Sequence, residues 1–80
     1  MGDTGAGLAA RAEFGRRVRK RREALGLTQE GLAHRGHLHP VWISEVEGGK
    51  RNISFVSILR LAEALSVDAG ELMAGLNLAP

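Results

Sequence analysis

Glycines divide this chain into short segments whose apolar residues recur at helical spacing, and this pattern constrains the fold more than any other feature. Gly26, Gly36, Gly48 and Gly75 each directly follow such a segment. Glycine ends helices readily because it adopts the left-handed backbone conformation without strain. No segment has the pattern of a strand. The sequence therefore predicts an all-α fold of five helices, at about residues 10–25, 29–35, 40–47, 55–65 and 69–74.

The starts of the predicted helices carry residues that suit a first helical turn. Thr28 and Ser54 are good N-cap residues, Pro40 suits the first helical position, and Asp68 with Glu71 makes a capping box. The second and third helices are short and are joined by a tight glycine-containing turn, which is the helix-turn-helix pattern. The fourth helix has an apolar stripe that we expect to face the core: Phe55, Ile58, Leu59, Ala62 and Leu65.

The chain has 80 residues, which suits one small domain of marginal stability. It has no cysteine, so disulfides and thiolate metal sites are excluded. No apolar run approaches the roughly 18 residues of a membrane span, and the N-terminus does not have the pattern of a signal peptide. We expect no membrane partner. We expect a disordered tail at residues 1–9, a folded domain at 10–75 and a C-terminal tail at 76–80.

Positive charge is concentrated near the N-terminus, although the net charge is only +2. Seven of the eleven lysines and arginines lie in residues 11–22, where only Glu13 opposes them, and Lys50 and Arg51 form a smaller cluster. A basic helix presents either a solvated face or a face that binds a polyanion. Composition favours the two interpretations about equally.

Three histidines, His34, His37 and His39, raise the question of a metal site. Zinc sites usually need a full set of nitrogen or sulfur ligands, and here the nearest carboxylates are Glu30 and Glu45. We therefore expect no metal and no cofactor. We do not expect an enzyme either, because no base–nucleophile pairing or phosphate-binding loop is visible.

Several motifs keep the mutual spacing of a known family: L-G-L-T-Q, then L-A, then I-S-x-V-E-x-G, then L-A-x-A-L-x-V. Over about residues 14–73 the chain resembles the lambda-repressor-like, Xre-type helix-turn-helix transcription regulators. The stretch "LHPVWISEVEGGKRNIS" is especially similar to the controller proteins of restriction–modification systems. The resemblance implies a five-helix lambda-repressor-like DNA-binding domain at 10–75. It also implies a homodimer on a pseudo-palindromic operator, with helix 3 in the major groove, in the bacterial cytoplasm at the nucleoid.

The resemblance also implies which residues meet double-stranded DNA. Val41 would touch thymine methyl groups, Ser44 either kind of base edge, and Glu45 the amino group of cytosine. Residues 39–47 contain no arginine or lysine for guanine, so we expect much of the affinity to come from phosphates. Trp42 has two open roles, packing or DNA contact. The expected DNA-binding residues are Arg19, Thr28, Gln29, His39, Pro40, Val41, Trp42, Ser44, Glu45, Lys50, Arg51 and Asn52.

Arg22 lies in the apolar stripe of helix 1, four residues after Val18, so it must either extend into solvent or find a buried partner. The resemblance matches it with Glu47 as an ion pair between helices 1 and 3. We therefore expect Arg22 and Glu47 to be structural and not DNA contacts.

The turn departs from the family pattern, because many relatives have a glycine at the position of His37. Either the turn shifts by one residue, or His37 adopts a positive φ, which histidine tolerates better than most residues. Many relatives also have an arginine at the position of Gly48, so one backbone contact is expected to be lost here.

The C-terminal region carries more apolar residues than a small monomer covers easily. We expect Leu72, Met73, Leu76 and Leu78 to form a dimer interface. The alternative is that Leu72 and Met73 close the core of the monomer while Leu76 and Leu78 fray. A protein-binding module on the same fold, such as an antitoxin or anti-regulator, is the alternative function.

Overall fold

The computed structural model describes residues 7–78, and within them the chain forms five helices and no strand. The helices are α1 (Leu8–Ala24), α2 (Gln29–Gly36), α3 (Pro40–Glu47), α4 (Phe55–Ala64) and α5 (Ala69–Met73). The predicted all-α, five-helix fold is confirmed. The predicted N-terminal tail was too long, because Leu8 and Ala9 already belong to α1. Gly7 is the N-cap residue of α1, and residues 1–6 lie outside the described residues.

Four of the helices begin with a side chain that accepts a hydrogen bond from the first turn. Thr28 Oγ1 accepts from the Gly31 N–H at 2.9 Å, and Ser54 Oγ accepts from the Ser57 N–H at 3.2 Å. Asp68 Oδ2 accepts from the Gly70 N–H at 2.9 Å, while the Glu71 carboxylate accepts from the backbone N–H of Asp68. His39 caps α3. Each cap satisfies a backbone donor that the helix itself leaves free, which fixes where the helix starts.

The hydrophobic core lies where α3 packs against α1 and α2, and where α4 packs against α2 and α5. Ile43 and Val46 of α3 are fully buried against Val18 of α1 and Leu32 of α2. Leu72 of α5 is buried in the same core, so it offers almost no surface to a second copy of the chain. The open alternative for Leu72 is the one observed, because α5 packs on both α1 and α4.

The apolar stripe predicted for α4 is only partly buried. Phe55 is 75% exposed and Leu59 is 45% exposed, so these two are not core residues. The buried residues of this helix region are confined to its C-terminal half: Leu61, Ala62, Ala64 and Leu65. The neighbouring helices cover only that half, so the apolar residues of the first turn face outward.

Gly15 sets how closely α1 approaches α3. A Cβ atom at this position would collide with the carbonyl oxygen of Val46 and would lie 2.7 Å from that of Glu47. Only glycine therefore lets the backbone of α1 pass against the last turn of α3. This close crossing places the C-terminus of α3, and the residues that follow it, beside α1.

Candidate DNA-binding face

The turn between α2 and α3 is built on His37, which adopts the left-handed conformation with φ 54° and ψ 45°. The Leu38 N–H donates to the Ala33 carbonyl at 2.8 Å, which closes the end of α2. Of the two arrangements left open by the sequence, the structure has the second, a positive φ at His37. Gly36 is the last residue of α2 and does not itself end the helix.

Gly36, which lies one residue before the glycine position of many relatives, has a packing role. A Cβ atom on residue 36 would lie 2.8 Å from Leu38 Cδ1 and 3.1 Å from the Cβ of Ala64 on α4. Gly36 therefore allows α2 to pack closely on α4, and the next residue supplies the left-handed turn. Histidine can take that conformation at a modest cost that glycine would not incur.

Helix α3 has a buried face and an outward face. His39 Nδ1 accepts a hydrogen bond from the Val41 N–H at 3.2 Å and so caps the helix, and Pro40 occupies the first helical position. Val41 is 60% exposed and Ser44 is also exposed, three residues further along the same side. The outward face thus offers a methyl-bearing side chain and a hydroxyl, while the core anchors the opposite side.

Trp42 is half-buried and packs against the core. It also borders a shallow depression on the outward side, together with His37, His39, Glu45 and Arg51. Its indole therefore has a packing role, and its exposed part adjoins the groups expected to meet DNA.

On the side of α3 that faces the core, Glu47 and Arg22 form a largely buried, bidentate ion pair. Arg22 Nε donates to Glu47 Oε2 at 2.6 Å and Nη2 donates to Oε1 at 3.0 Å, and the side chains are only 11% and 5% exposed. Arg22 Nη1 also donates to the Leu27 carbonyl at 2.7 Å. The hydrogen bonds to Glu47 raise the pKa of the Arg22 guanidinium above its usual value. The pair fixes α3 to α1 from inside.

Gln29 connects α2 to the ion pair between α1 and α3. Its Nε2 donates to Glu47 Oε1 at 3.1 Å, so the first residue of α2 braces the last residue of α3. Thr28 beside it is exposed, with its hydroxyl engaged by the Gly31 N–H. The phosphate contacts expected of Thr28 and Gln29 stay predictions.

In front of α3, a second ion pair joins Glu45 to Arg51 in the following loop. Arg51 Nε donates to Glu45 Oε1 at 2.9 Å and Nη2 lies 2.7 Å from the same oxygen. The two side chains are 37% and 49% exposed. Lys50 and Asn52, on either side of Arg51, are exposed as well. The pair draws the Arg51 guanidinium to the outward side of α3.

The basic cluster of α1 is largely engaged within the protein. Arg17 Nη1 donates to the Leu72 carbonyl at 3.0 Å, and Arg21 Nε donates to the Leu65 carbonyl at 2.9 Å. These two arginines therefore hold α5 and the end of α4. The sequence did not indicate this role for Arg17 and Arg21, because helical spacing alone does not show which carbonyl groups of distant helices an arginine can reach. Arg19 is exposed and pairs with Glu23 at 3.2 Å, so it keeps its place among the candidates for DNA contact.

Glu13 is the acid that opposes this cluster. Its carboxylate accepts from Arg16 Nη2 at 2.6 Å and from Arg17 Nε at 2.9 Å. The hydrogen bond from Arg16, followed by that from Arg17, lowers the pKa of the Glu13 carboxyl below its usual value. The arginine that holds α5 is thus itself oriented by Glu13.

Among residues 7–78 no three histidine, cysteine or acidic side chains lie together in a way that could hold a metal ion. His34 is exposed in the last turn of α2, while His37 and His39 serve the turn and the cap. No helix in the described part of the chain is both long and apolar enough to cross a membrane.

Apolar side chains are exposed on another surface. Phe55, Val56 and Leu59 of α4, which we call the α4 patch, are 75%, 56% and 45% exposed. Of the residues predicted for a dimer interface, Met73 and Leu78 are exposed and Leu76 is half-buried against the core.

The comparison with known proteins identifies the family. A profile of the family described as "Helix-turn-helix domain" matches residues 13–76. The chain belongs to this family. It is 38% identical over 61 residues to the control protein C.BamHI of Bacillus amyloliquefaciens, with 75% of each chain covered. It is 32% identical over 65 residues to the control protein C.MunI of a Mycoplasma species, with 80% of this chain and 88% of the relative covered.

The fold agrees with a solved relative. The restriction–modification controller protein C.AhdI from Aeromonas hydrophila superposes with a TM-score of 0.78 and is 45% identical, over 80% of this chain and 97% of that one. The resemblance read from the motifs is therefore confirmed. The chain is a helix-turn-helix DNA-binding transcription regulator. In such proteins the second helix of the motif, here α3, is the recognition helix.

Proposed function

We propose that the chain is a homodimeric controller of restriction–modification genes that binds a pseudo-palindromic operator with α3 of each subunit in the major groove. The observation that carries the proposal is the division of α3 into two sides. Glu47 is tied to α1 and α2 behind it, while Val41 and Ser44 stand free in front. The three relatives named above are control or controller proteins, which supports the narrower assignment.

The outward face of α3 would read bases by shape and by a few polar contacts. Val41 suits thymine methyl groups, Ser44 accepts or donates at either base edge, and Glu45 suits the cytosine amino group. Phosphate contacts would come from the surrounding groups and supply a large share of the affinity. Those groups are Arg19, Thr28, Gln29, His39, Lys50, Arg51 and Asn52, with Pro40 and Trp42 flanking the groove.

The α4 patch is the surface we assign to the second copy of the chain. A two-fold dimer presents the same patch from both subunits, so one exposed apolar cluster is enough to form an isologous contact. Phe55 and Leu59 lie one turn apart on α4, and this helix starts at Phe55, soon after the loop that carries Arg51. An interface there would couple the spacing of two α3 helices to that of two half-sites. Ile58 on the same helix lines a groove with Met73 and Leu78, which would extend the interface.

Selection of bound duplexes from a random DNA pool tests the function directly. We expect an inverted repeat whose half-sites are about one helical turn apart, centre to centre. A Phe55→Asp variant should sediment as a monomer, retain its helical circular dichroism and bind the selected operator more weakly. The control variant Leu8→Asp changes another exposed apolar residue, which lies on α1 and outside the α4 patch, and should remain dimeric. No enrichment of any sequence, with no DNA affinity at low salt, would favour a protein-binding module instead.

No catalytic chemistry is part of this proposal. We place the protein's action at the nucleoid of the bacterial cytoplasm, where its operator would lie.

A further inference from the structure

Arg51 is a cation placed next to the outward face of the recognition helix. Residues 39–47 contain no lysine or arginine, and Arg51 lines the depression beside Val41 and Trp42. Its guanidinium is held by Glu45, with both short contacts made to the single oxygen Oε1. The carboxylate thus occupies the Nε–Nη2 edge of the guanidinium, the edge that would otherwise donate two parallel hydrogen bonds to a phosphate or a guanine.

Arg51 can exchange Glu45 for another anionic partner because the ion pair is exposed to solvent. Ion pairs in contact with water contribute little net stability, since solvent already screens the two charges. A DNA phosphate can therefore compete for the Arg51 guanidinium. The competition leaves Glu45 without its partner, in a negatively charged groove, unless a base edge offers the carboxylate a donor. The amino group of cytosine is such a donor.

We propose that Glu45 is a specificity-determining residue that acts through Arg51, an inference that rests on the proposed DNA binding. On non-operator DNA, Glu45 keeps Arg51 from the phosphates and so suppresses binding. On the operator, Arg51 moves to the DNA while a cytosine amino group satisfies Glu45. Specificity is a difference between two affinities, and this device lowers the unwanted one.

A double-mutant cycle separates this mechanism from simple repulsion between Glu45 and phosphates. The variants are Glu45→Gln, Arg51→Gln and the two together, with Glu30→Gln as a control for charge. Glu30 lies on the neighbouring α2, and no ion pair joins it to another described residue. Affinity is measured by fluorescence anisotropy on the selected operator and on a scrambled duplex, at several salt concentrations.

We expect Glu45→Gln to tighten binding to the scrambled duplex by about fivefold, the scale of an exposed ion pair. The slope of log affinity against log salt should become steeper by about 0.9, because one more phosphate is neutralised. In the Arg51→Gln background the same substitution should change that affinity less than twofold. The ratio of operator to scrambled affinity should fall in Glu45→Gln and not in Glu30→Gln.

An equal gain in both backgrounds would mean that Glu45 only repels phosphates, and the inference would be overturned. A gain in Glu30→Gln as large as in Glu45→Gln would overturn it as well. If the unmodified protein binds neither duplex, the proposed function fails; if it binds but the cycle shows no coupling, only this inference fails. Thermal melts check that each variant remains folded.

Discussion

The two carboxylates of α3, Glu45 and Glu47, stand two residues apart and are each paired with an arginine, but their surroundings differ completely. The pair of Glu47 with Arg22 is buried and bidentate, whereas Glu45 meets Arg51 through one oxygen in contact with water. A buried charge that loses its partner has no water to replace it, and an exposed one does. Both pairs join a glutamate to an arginine, so the difference in burial makes the Glu47 pair costly to break and the Glu45 pair easy to break.

The two carboxylates therefore have different roles in the recognition helix. Glu47 meets Arg22 from α1 and Gln29 from α2, so the inner side of α3 is joined to both other helices of the N-terminal half. Glu45 meets only the loop that follows α3. The contact on the loop side is therefore independent of the contacts that set the position of the helix.

The largest expected effect on stability comes from removing the carboxylate of Glu47, and the same change at Glu45 provides the comparison. We expect Glu47→Ala to lower the free energy of unfolding by about 3–5 kcal/mol, because Arg22 is left buried and unpaired. The matched substitution Glu45→Ala should cost less than about 1 kcal/mol, as for other exposed pairs. Urea denaturation followed by circular dichroism measures both. Similar losses in the two variants would show that burial does not separate the pairs.

A second prediction concerns the contact between α1 and α3 that encloses the buried pair. Gly15→Ala should lower the free energy of unfolding by about 1–3 kcal/mol, because the added methyl group meets two backbone carbonyls that cannot rotate away. Gly48→Ala, directly after α3 and away from α1, is the control. Its Cβ would meet nothing closer than 3.4 Å, at the Ser44 carbonyl. We expect it to be neutral or to stabilise by up to about 1 kcal/mol. Equal losses would show that the α1–α3 crossing is not tight at Gly15.

The buried ion pair of Arg22 with Glu47 could be predicted from the sequence, whereas the exposed pair of Arg51 with Glu45 could not. A charge in the apolar stripe of α1 either extends into solvent or needs a buried partner, and the family resemblance implied that the partner of Arg22 is Glu47. The helix bounds were equally accessible, because caps such as Thr28 and Ser54 are local. Arg51 was expected only along the DNA backbone. Its pairing with Glu45 depends on the path of the loop, which no periodicity encodes.

Other features could not be predicted from the sequence because they depend on how far a neighbouring helix extends. Helical spacing put Phe55 and Leu59 in the core, but the adjoining helices cover only the C-terminal half of α4. The sequence predicted that Gly36 follows its helix and gave no role to Gly15, whereas the packing of α3 and α4 against these two glycines explains why neither carries a side chain. Spacing along one helix identifies an apolar side, while burial also requires a partner of sufficient length.

The smallest predicted effect concerns a third ion pair, on the surface of α1. Glu13 has a folded-state pKa below its usual value, chiefly through the hydrogen bond from Arg16 and then through that from Arg17. A carboxyl with a lowered folded-state pKa binds its proton more readily in the unfolded chain. Its contribution to stability is therefore present above the unfolded value, about 4.3, and is lost as the pH falls through the lower folded value.

Melts of the Glu13→Gln variant and the unmodified protein at a series of pH values measure this contribution. We expect the variant to be less stable at neutral pH and the difference to shrink as the solution becomes more acidic than the unfolded carboxyl's pKa. Glu63→Gln is the control, because no hydrogen bond or ion pair joins Glu63 to another side chain among residues 7–78. If the Glu13 difference were independent of pH, it would reflect helix propensity and not pairing. The exposed pair of Glu45 could then not be assumed to contribute through its charge either.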